Sequence, residues 1–274
     1  MNPGTLPTLN AWPSWEIGKA THVGRKHQGE PNQDAMLVLP AEANRPPLYL
    51  VADGMGGHAG GAEASRIVVE SVSDYYRSVQ FPADPASVLK DSLLHAHQAL
   101  MDHVKDHPAL YTMGSTAVAA IIERGEVFVA NVGDSRAYLL HDQTMTQLSY
   151  DHSIVGEMVR AGKMTPVEAL QSKLRNRLTQ SLSPMRQDIT PHLSRAAFGN
   201  GDTLVLCTDG LWGVVTEAIL QAVALELSPQ TAAEKLIQLT LARGAPDNVT
   251  VVISHKRLSR TAPAAGVEDN GPGE

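Results

Sequence analysis

The chain has one cysteine, Cys207, in 274 residues, so no intrachain disulfide is possible and secretion is not indicated. Cys207 ends the apolar run Thr203–Cys207, which marks it as a small buried hydrophobe rather than a redox centre. Basic residues are also scarce: 22 stand against 29 acidic ones, a formal net charge of −7. That balance argues against a nucleic-acid binder, which carries a basic face. No segment reaches the roughly 18 apolar residues that a bilayer span needs. Met1 to Trp15 lacks the basic-then-apolar order of a signal peptide. The expected location is the cytoplasm, with neither membrane nor nucleic acid as a partner. Gly56-Gly57 and Gly60-Gly61 lack the following Lys and Ser or Thr of a nucleotide-hydrolase phosphate loop.

Three aspartates at the ends of apolar strand-like runs carry the chemistry. Leu48-Tyr49-Leu50-Val51-Ala52 delivers Asp53 into a Gly-rich segment, Gly54 to Gly61. Thr203 to Cys207 leads to Thr208-Asp209-Gly210, and Asp247-Asn248 directly precedes Val249-Thr250-Val251-Val252-Ile253. An Asp at the end of a buried strand is costly to desolvate unless its charge is compensated. A hard divalent cation with oxygen ligands compensates several carboxylates at once. The plainer alternative is that each Asp starts a turn or caps a helix. One such Asp fits that alternative well; three with these neighbours favour the metal.

The pattern along the chain predicts one domain over 15–258, with tails at 1–14 and 259–274, and no internal repeat. The first tail carries three prolines; the second is rich in Ala, Gly, Pro and acid and reads as disordered. Strands are expected at Thr21–Val23, Ala35–Leu39 and Leu48–Ala52. A helix follows over Ala62–Val79, with Ala64, Val68, Val72, Tyr75 and Val79 on one face. A second runs from Pro85 to His107, with Val88, Leu89, Leu93, Ala96, Leu100 and Val104 inward. Closely spaced strands at Thr116–Ile122, Glu126–Val132 and Arg136–Leu140, joined by Glu123-Arg124-Gly125 and Gly133-Asp134-Ser135, indicate an antiparallel meander. The polar section Asp151–Met185 carries short helical signals, including the capping box Thr165-Pro166-Val167-Glu168. A strand at Thr203–Cys207, helices near Thr216–Glu226 and Pro229–Arg243 closed by Gly244, and a last strand at Val249–Ser254 complete the pattern. Strand runs bracketing paired helices imply an α+β sandwich.

Six short motifs fall in order: Asn32-Gln33-Asp34, Asp53-Gly54-Met55-Gly56-Gly57-His58, Gly114-Ser115-Thr116-Ala117, Gly133-Asp134-Ser135-Arg136, Thr208-Asp209-Gly210-Leu211-Trp212 and Pro246-Asp247-Asn248-Val249-Thr250. With them, residues 16–257 closely resemble the metal-dependent type 2C serine/threonine protein phosphatases in their bacterial form. The resemblance implies a four-layer αββα sandwich of two antiparallel sheets flanked by helices. It implies hydrolysis of phosphoserine and phosphothreonine in proteins, the targets of a serine/threonine kinase, by a monomeric enzyme. Two Mn²⁺ or Mg²⁺ ions would activate the water and clamp the phosphoryl oxygens. Asp53 would bridge both, the Gly54 carbonyl would bind one, and Asp209 and Asp247 the other. Asp34 would hold metal-bound water, so that Asp34, Asp53 and Asp209 orient the nucleophile. Asp134 would help hold a third, weakly bound ion. The segment Asp151–Met185 corresponds to a flap that shapes substrate entry.

The chain departs from that pattern in places. Gln33 stands where many relatives carry Glu, which removes a negative charge from one metal. Met55 stands where animal relatives carry a His suited to a general acid. Arg25 is the first choice for gripping phosphate, since its planar guanidinium can bind bidentately, although it lies farther from Asn32 than in the family. A solvated loop charge is the alternative for Arg25. His103 and His107, four apart on one helix, are expected at the surface or core edge rather than on a metal, and Trp212 in core packing. The opposing functional readings are a non-catalytic module that recognises phosphorylated partners and a phosphatase of small phosphoesters.

Overall fold

The computed structural model describes residues 15–256; the tails expected at 1–14 and 259–274 lie outside the described residues. In chain order the elements begin with β1 (Trp15–His22), β2 (Asp34–Leu39), β3 (Leu48–Met55), α1 (His58–Ser78) and α2 (Pro85–Asp106). The meander follows as β4 (Gly114–Ser115), β5 (Ala117–Glu123), β6 (Glu126–Val132), β7 (Arg136–His141) and β8 (Thr144–Gln147). Next come α3 (Ile154–Arg160), α4 (Pro166–Gln171), β9 (His192–Ala197), β10 (Thr203–Cys207) and the one-turn α5 (Asp209–Trp212). The elements α6 (Glu217–Glu226), α7 (Pro229–Ala242) and β11 (Val249–Lys256) complete the fold.

Every strand pairing is antiparallel, in two sheets ordered β1-β11-β10-β7-β8 and β2-β3-β5-β6-β9, with β4 beside β3. Because side chains alternate along a strand, each central strand feeds two cores. Tyr49, Val51, Val118 and Ala120 of one sheet meet Leu139, Leu204, Leu206 and Val252 of the other between the sheets. Leu48, Leu50 and Ala119 face the opposite way, onto α1 and α2. Val205, Val251 and Ile253 face α6 and α7. The result is helix, sheet, sheet, helix, as expected. One polar tie crosses the inner layer: Ser254 Oγ and Tyr49 Oη stand 3.0 Å apart.

Local sequence explains the turns. The β5–β6 hairpin turns through Arg124 and Gly125, both at positive φ (52° and 83°), which matches a two-residue turn with the twist of its strands. The capping box at Thr165 and Glu168 is present in both directions and starts α4. Several expectations need correction. α1 begins at His58 rather than Ala62, so the Gly60-Gly61 pair lies inside its first turn. Its buried aromatic is Tyr76, which donates to Pro46 O, while Tyr75 packs on the His95 ring at the surface. β1 starts at Trp15, six residues before the expected Thr21, and β8 and β9 had no counterpart in the sequence reading.

Candidate metal centre

The two sheets open at one edge, where both carry acidic strand ends. Asp34 opens β2 and stands in register opposite Asp53 on β3. Asp209 follows β10, and Asp247 lies two residues before β11. The strand pairings alone bring residues more than 200 positions apart to one edge. A shared hydrogen-bond frame then joins the sheets. Gln33 N donates to Asn248 Oδ1 at 2.7 Å, and Asn248 Nδ2 donates to Val23 O at 2.7 Å. Thr208 Oγ1 donates to Asp34 Oδ2 at 2.9 Å and accepts from Thr250 N at 3.0 Å. Asp53 N donates to Thr116 Oγ1 at 3.1 Å, and that hydroxyl lies 2.7 Å from Ser135 Oγ in the turn that carries Asp134. The glycines are there for space. An added Cβ on Gly54 would overlap the Gly61 carbonyl, and one on Gly210 would overlap the Asn248 carbonyl.

The electrostatics identify Asp53 as the hub. Burial comes first in holding its carboxyl well above the usual carboxylate range; Asp34, Asp209, Asp134 and Asp247 then each push it further. Asp134 is likewise raised by burial, then by Asp209 and Asp151. Burial pushes Asp34 up to about 7 against hydrogen bonds from Thr250 and Thr208. Asp209 rises to about 6 through burial and then Asp247, while a hydrogen bond shared with Asp53 opposes the shift. Asp34 and Asp134 are buried, whereas Asp53 and Asp209 keep part of their surface open to the cleft. Two buried carboxylate oxygens, Asp34 Oδ1 and Asp209 Oδ1, have no hydrogen-bond partner. Orphaned anionic oxygens are costly, and a divalent cation satisfies them. The donor set, all oxygen, fits Mn²⁺ or Mg²⁺. Among the described residues no three His, Cys, Asp or Glu side chains stand together as a ready-made metal shell, so backbone carbonyls such as Gly54 O and water would complete the coordination.

The remaining expected residues fall around this cluster. Gly54 follows Asp53, its N–H donating to Gln33 O at 2.9 Å. The Gln33 amide oxygen lies against Gly61, beside the cluster rather than within it. Arg25 is exposed; its N–H is held by Ala245 O at 3.0 Å, on the loop that leads to Asp247. His27 Nε2 lies 3.9 Å from Asp247 Oδ1. Burial pushes the Cys207 thiol up to about 12, which leaves it inert as a nucleophile. His103 and His107 stack at 4.3 Å at the C-terminal end of α2, with His103 Nε2 3.5 Å from Glu63 Oε1 of α1.

Sequence reasoning missed a second tier. The Arg136 guanidinium grips the Asp151 carboxylate through both Nε and Nη2, the shortest contact being 2.6 Å. Its other face stacks on the Trp212 ring at 3.7 Å. Trp212 Nε1 donates to Asp134 O at 3.0 Å, so this aromatic ties the Asp134 turn to the helix that begins with Asp209. Trp212 packs against the core beneath α6 and α7, as expected, and its N–H also makes it a strut. Arg175, from the flap, lies close enough to Asp209 for its charge to oppose the upward shift of that carboxyl. Arg175 lies in a polar stretch without period, and Arg136, although it closes the Gly133–Arg136 motif, finds Asp151 only through the fold.

Comparison with known proteins agrees with this geometry. The protein phosphatase 2C family model matches residues 23–247. The chain is 33% identical over 221 residues to the serine/threonine phosphatase stp of Listeria innocua, covering 78% of this chain and 86% of that protein. The crystal structure of the Mycobacterium tuberculosis serine/threonine phosphatase PstP/Ppp superposes with a TM-score of 0.80 at 29% identity, covering 89% of this chain and 99% of that one. A second solved structure, the catalytic domain of PstP in complex with two manganese ions, gives a TM-score of 0.77 at 29% identity, covering 88% of this chain and 97% of that one. A match over most of the domain, together with the acidic strand ends that the fold brings to one edge, leads to one assignment: the chain belongs to the protein phosphatase 2C family.

Proposed function

We propose that this chain is a protein-serine/threonine phosphatase that hydrolyses phosphoserine and phosphothreonine in proteins at a binuclear Mn²⁺ or Mg²⁺ centre. The observation that supports this best is the convergence of four carboxylates, Asp34, Asp134, Asp209 and Asp247, on Asp53, with two orphaned oxygens on Asp34 and Asp209. Asp53 and the Gly54 carbonyl would serve one ion, Asp53 with Asp209 and Asp247 the other, and Asp134 a third, weaker one. Bound ions of this kind acidify water and offset phosphoryl charge. Asp34 is fixed by Thr208 through one oxygen, which leaves Oδ1 to orient the attacking water. Thr116 and Ser135 hold the Asp53 backbone and the Asp134 turn in one frame, and the Trp212 N–H fixes the Asp134 carbonyl. Arg25, on the rim, and Arg175, on the flap, would meet the phosphate in this reading. Reaction forms a bond from phosphorus to the water oxygen and breaks the bond to the serine or threonine oxygen.

The substrates in this reading are phosphorylated proteins supplied by a serine/threonine kinase. The presence of every expected carboxylate favours this over a non-catalytic phosphoprotein-binding module. The test is release of inorganic phosphate from a phosphothreonine peptide by metal-stripped protein, before and after Mn²⁺ is restored. No turnover in either state would sink the proposal.

A further inference from the structure

A cavity of about 600 Å³ lies between the flap and the sheet, with Trp212 and Arg175 in its lining. That volume is within the usual range for binding pockets, roughly 300–1,000 Å³. Its floor includes Tyr138, Met145 and Trp212, and the flap helices cover it with Val155, Val159 and Leu170. Trp212 ends the one-turn helix that begins with Asp209. At about 1.5 Å of rise per residue, the cavity wall therefore begins within roughly 5 Å of that aspartate along the helix.

The lining is apolar but not neutral. Three arginines, Arg136, Arg160 and Arg175, face two carboxylates, Asp151 and Glu217. The balance is three minus two, one positive charge, in a chain whose formal net charge is −7. Arg136 takes up both acids, at 2.6 Å to Asp151 and 3.6 Å to Glu217. Arg160 lies over the Tyr150 ring at 4.7 Å, and Arg175 donates to Leu170 O at 3.3 Å. The same segment leaves large apolar side chains open to solvent: Tyr150 is 46% exposed, Val167 64%, Leu170 43% and Leu174 38%. Open apolar groups gathered in one place mark a contact surface.

We propose that this cavity receives an apolar side chain one to three residues from the phosphorylated serine or threonine. The enzyme would then select phosphoproteins with a large aliphatic or aromatic residue at that place. This deepens, and rests on, the phosphatase reading. An extended peptide advances about 3.3–3.6 Å per residue, so such a side chain reaches the cavity while the phosphate remains at the carboxylates. The excess positive charge of the lining suits a segment that carries phosphate. The apolar walls favour the neighbouring side chain through burial.

The test compares phosphothreonine peptides that differ only in carrying Leu or Gly at the three positions on each side, using the Mn²⁺-loaded full chain. The Leu peptides should show kcat/KM higher by about tenfold or more, the effect of burying one large apolar side chain. Leu170→Asp and Val167→Asp place a charge at already exposed flap positions. Leu170→Asp should erase the preference and Val167→Asp should reduce it. Val167→Asp should leave turnover of 4-nitrophenyl phosphate within about twofold of wild type, because that substrate has no flanking chain. Equal kcat/KM for the Leu and Gly peptides overturns the inference and leaves the phosphatase reading intact. A preference that survives in Leu170→Asp also overturns it. Failure of the loaded wild type on both peptides and aryl phosphate removes the phosphatase reading, and the cavity assignment with it.

Discussion

Asp53 within β3 and Asp209 just after β10 are each preceded by strand residues buried without exception, whereas the flap over the same cleft is built from helices of seven and six residues. The strands are fixed by ladder hydrogen bonds and by cores on both faces. The flap rests on local caps, at Ser153 and Thr165, and on the Arg136–Asp151 pair at its base. The contrast assigns different tasks. Ligands that must hold like charges together need a frame that cannot relax, and the strand ends supply it. A surface that meets varied partners tolerates exposed apolar groups and short helices, which the flap has. Low local contact also places the flap at the low end of local stability.

The sharpest way to break this contrast is to remove charge from the frame. Asp53→Asn, Asp209→Asn and Asp247→Asn should each lose at least about two to three orders of magnitude in turnover, since each removes charge from the metal clamp. The change is nearly isosteric, so circular dichroism should show a folded protein. Near wild-type rates in any metal-loaded variant would refute the role of that residue.

Asp134 lies at the frame's outer margin and should behave differently. Asp134→Ala should keep two tight metal sites and unchanged thermal stability, while turnover falls substantially with a smaller change in KM. Loss of the tight sites in a Mn²⁺ titration would contradict its assignment to a weaker, third ion.

On the flap side, Thr165→Ala removes the side-chain half of a capping box and leaves the backbone N–H of residue 165 to Glu168, an effect of about 1 kcal/mol on α4. The expected outcome is faster hydrogen exchange over 166–171, with little change in global melting or in hydrolysis of an aryl phosphate. A cooperative loss of global stability would show that the flap is part of the frame.

The smallest effect lies far from the site. Asp202 accepts from His141 at 2.7 Å and raises its pKa. A raised folded-state pKa stabilises fully below the unfolded value, near 6.5, and the gain is lost as pH rises through the folded value. The melting-temperature gap between wild type and His141→Asn should therefore be visible near pH 5.5 and shrink toward pH 8.5. A gap that grew with pH would reverse the sign of this pair.

Much of this was legible in the sequence, for identifiable reasons. Long apolar runs such as Leu48–Ala52 and Thr203–Cys207, the Arg124-Gly125 turn and the Thr165 capping box are local signals, and each appears where expected. Asp53, Asp209 and Asp247 stand out in the sequence because each adjoins a buried strand; Asp34, at the start of the half-exposed β2, and Asp134 came from the family resemblance. The edge strands β8 and β9 were not, since half-exposed polar alternation such as His192–Ala197 resembles a loop. Tyr76 rather than Tyr75 became the buried aromatic because its hydroxyl reaches Pro46 O, a partner 30 residues away. The Arg136–Trp212–Asp134 tie and the approach of Arg175 to Asp209 arise only when distant segments meet.

Calorimetric titration of Mn²⁺ into metal-stripped protein, run beside phosphate release from a phosphothreonine peptide, tests the carboxylate frame most directly. The account predicts two tight sites, turnover that appears as they fill, and loss of both on adding EDTA. Full turnover in exhaustively chelated protein would contradict it.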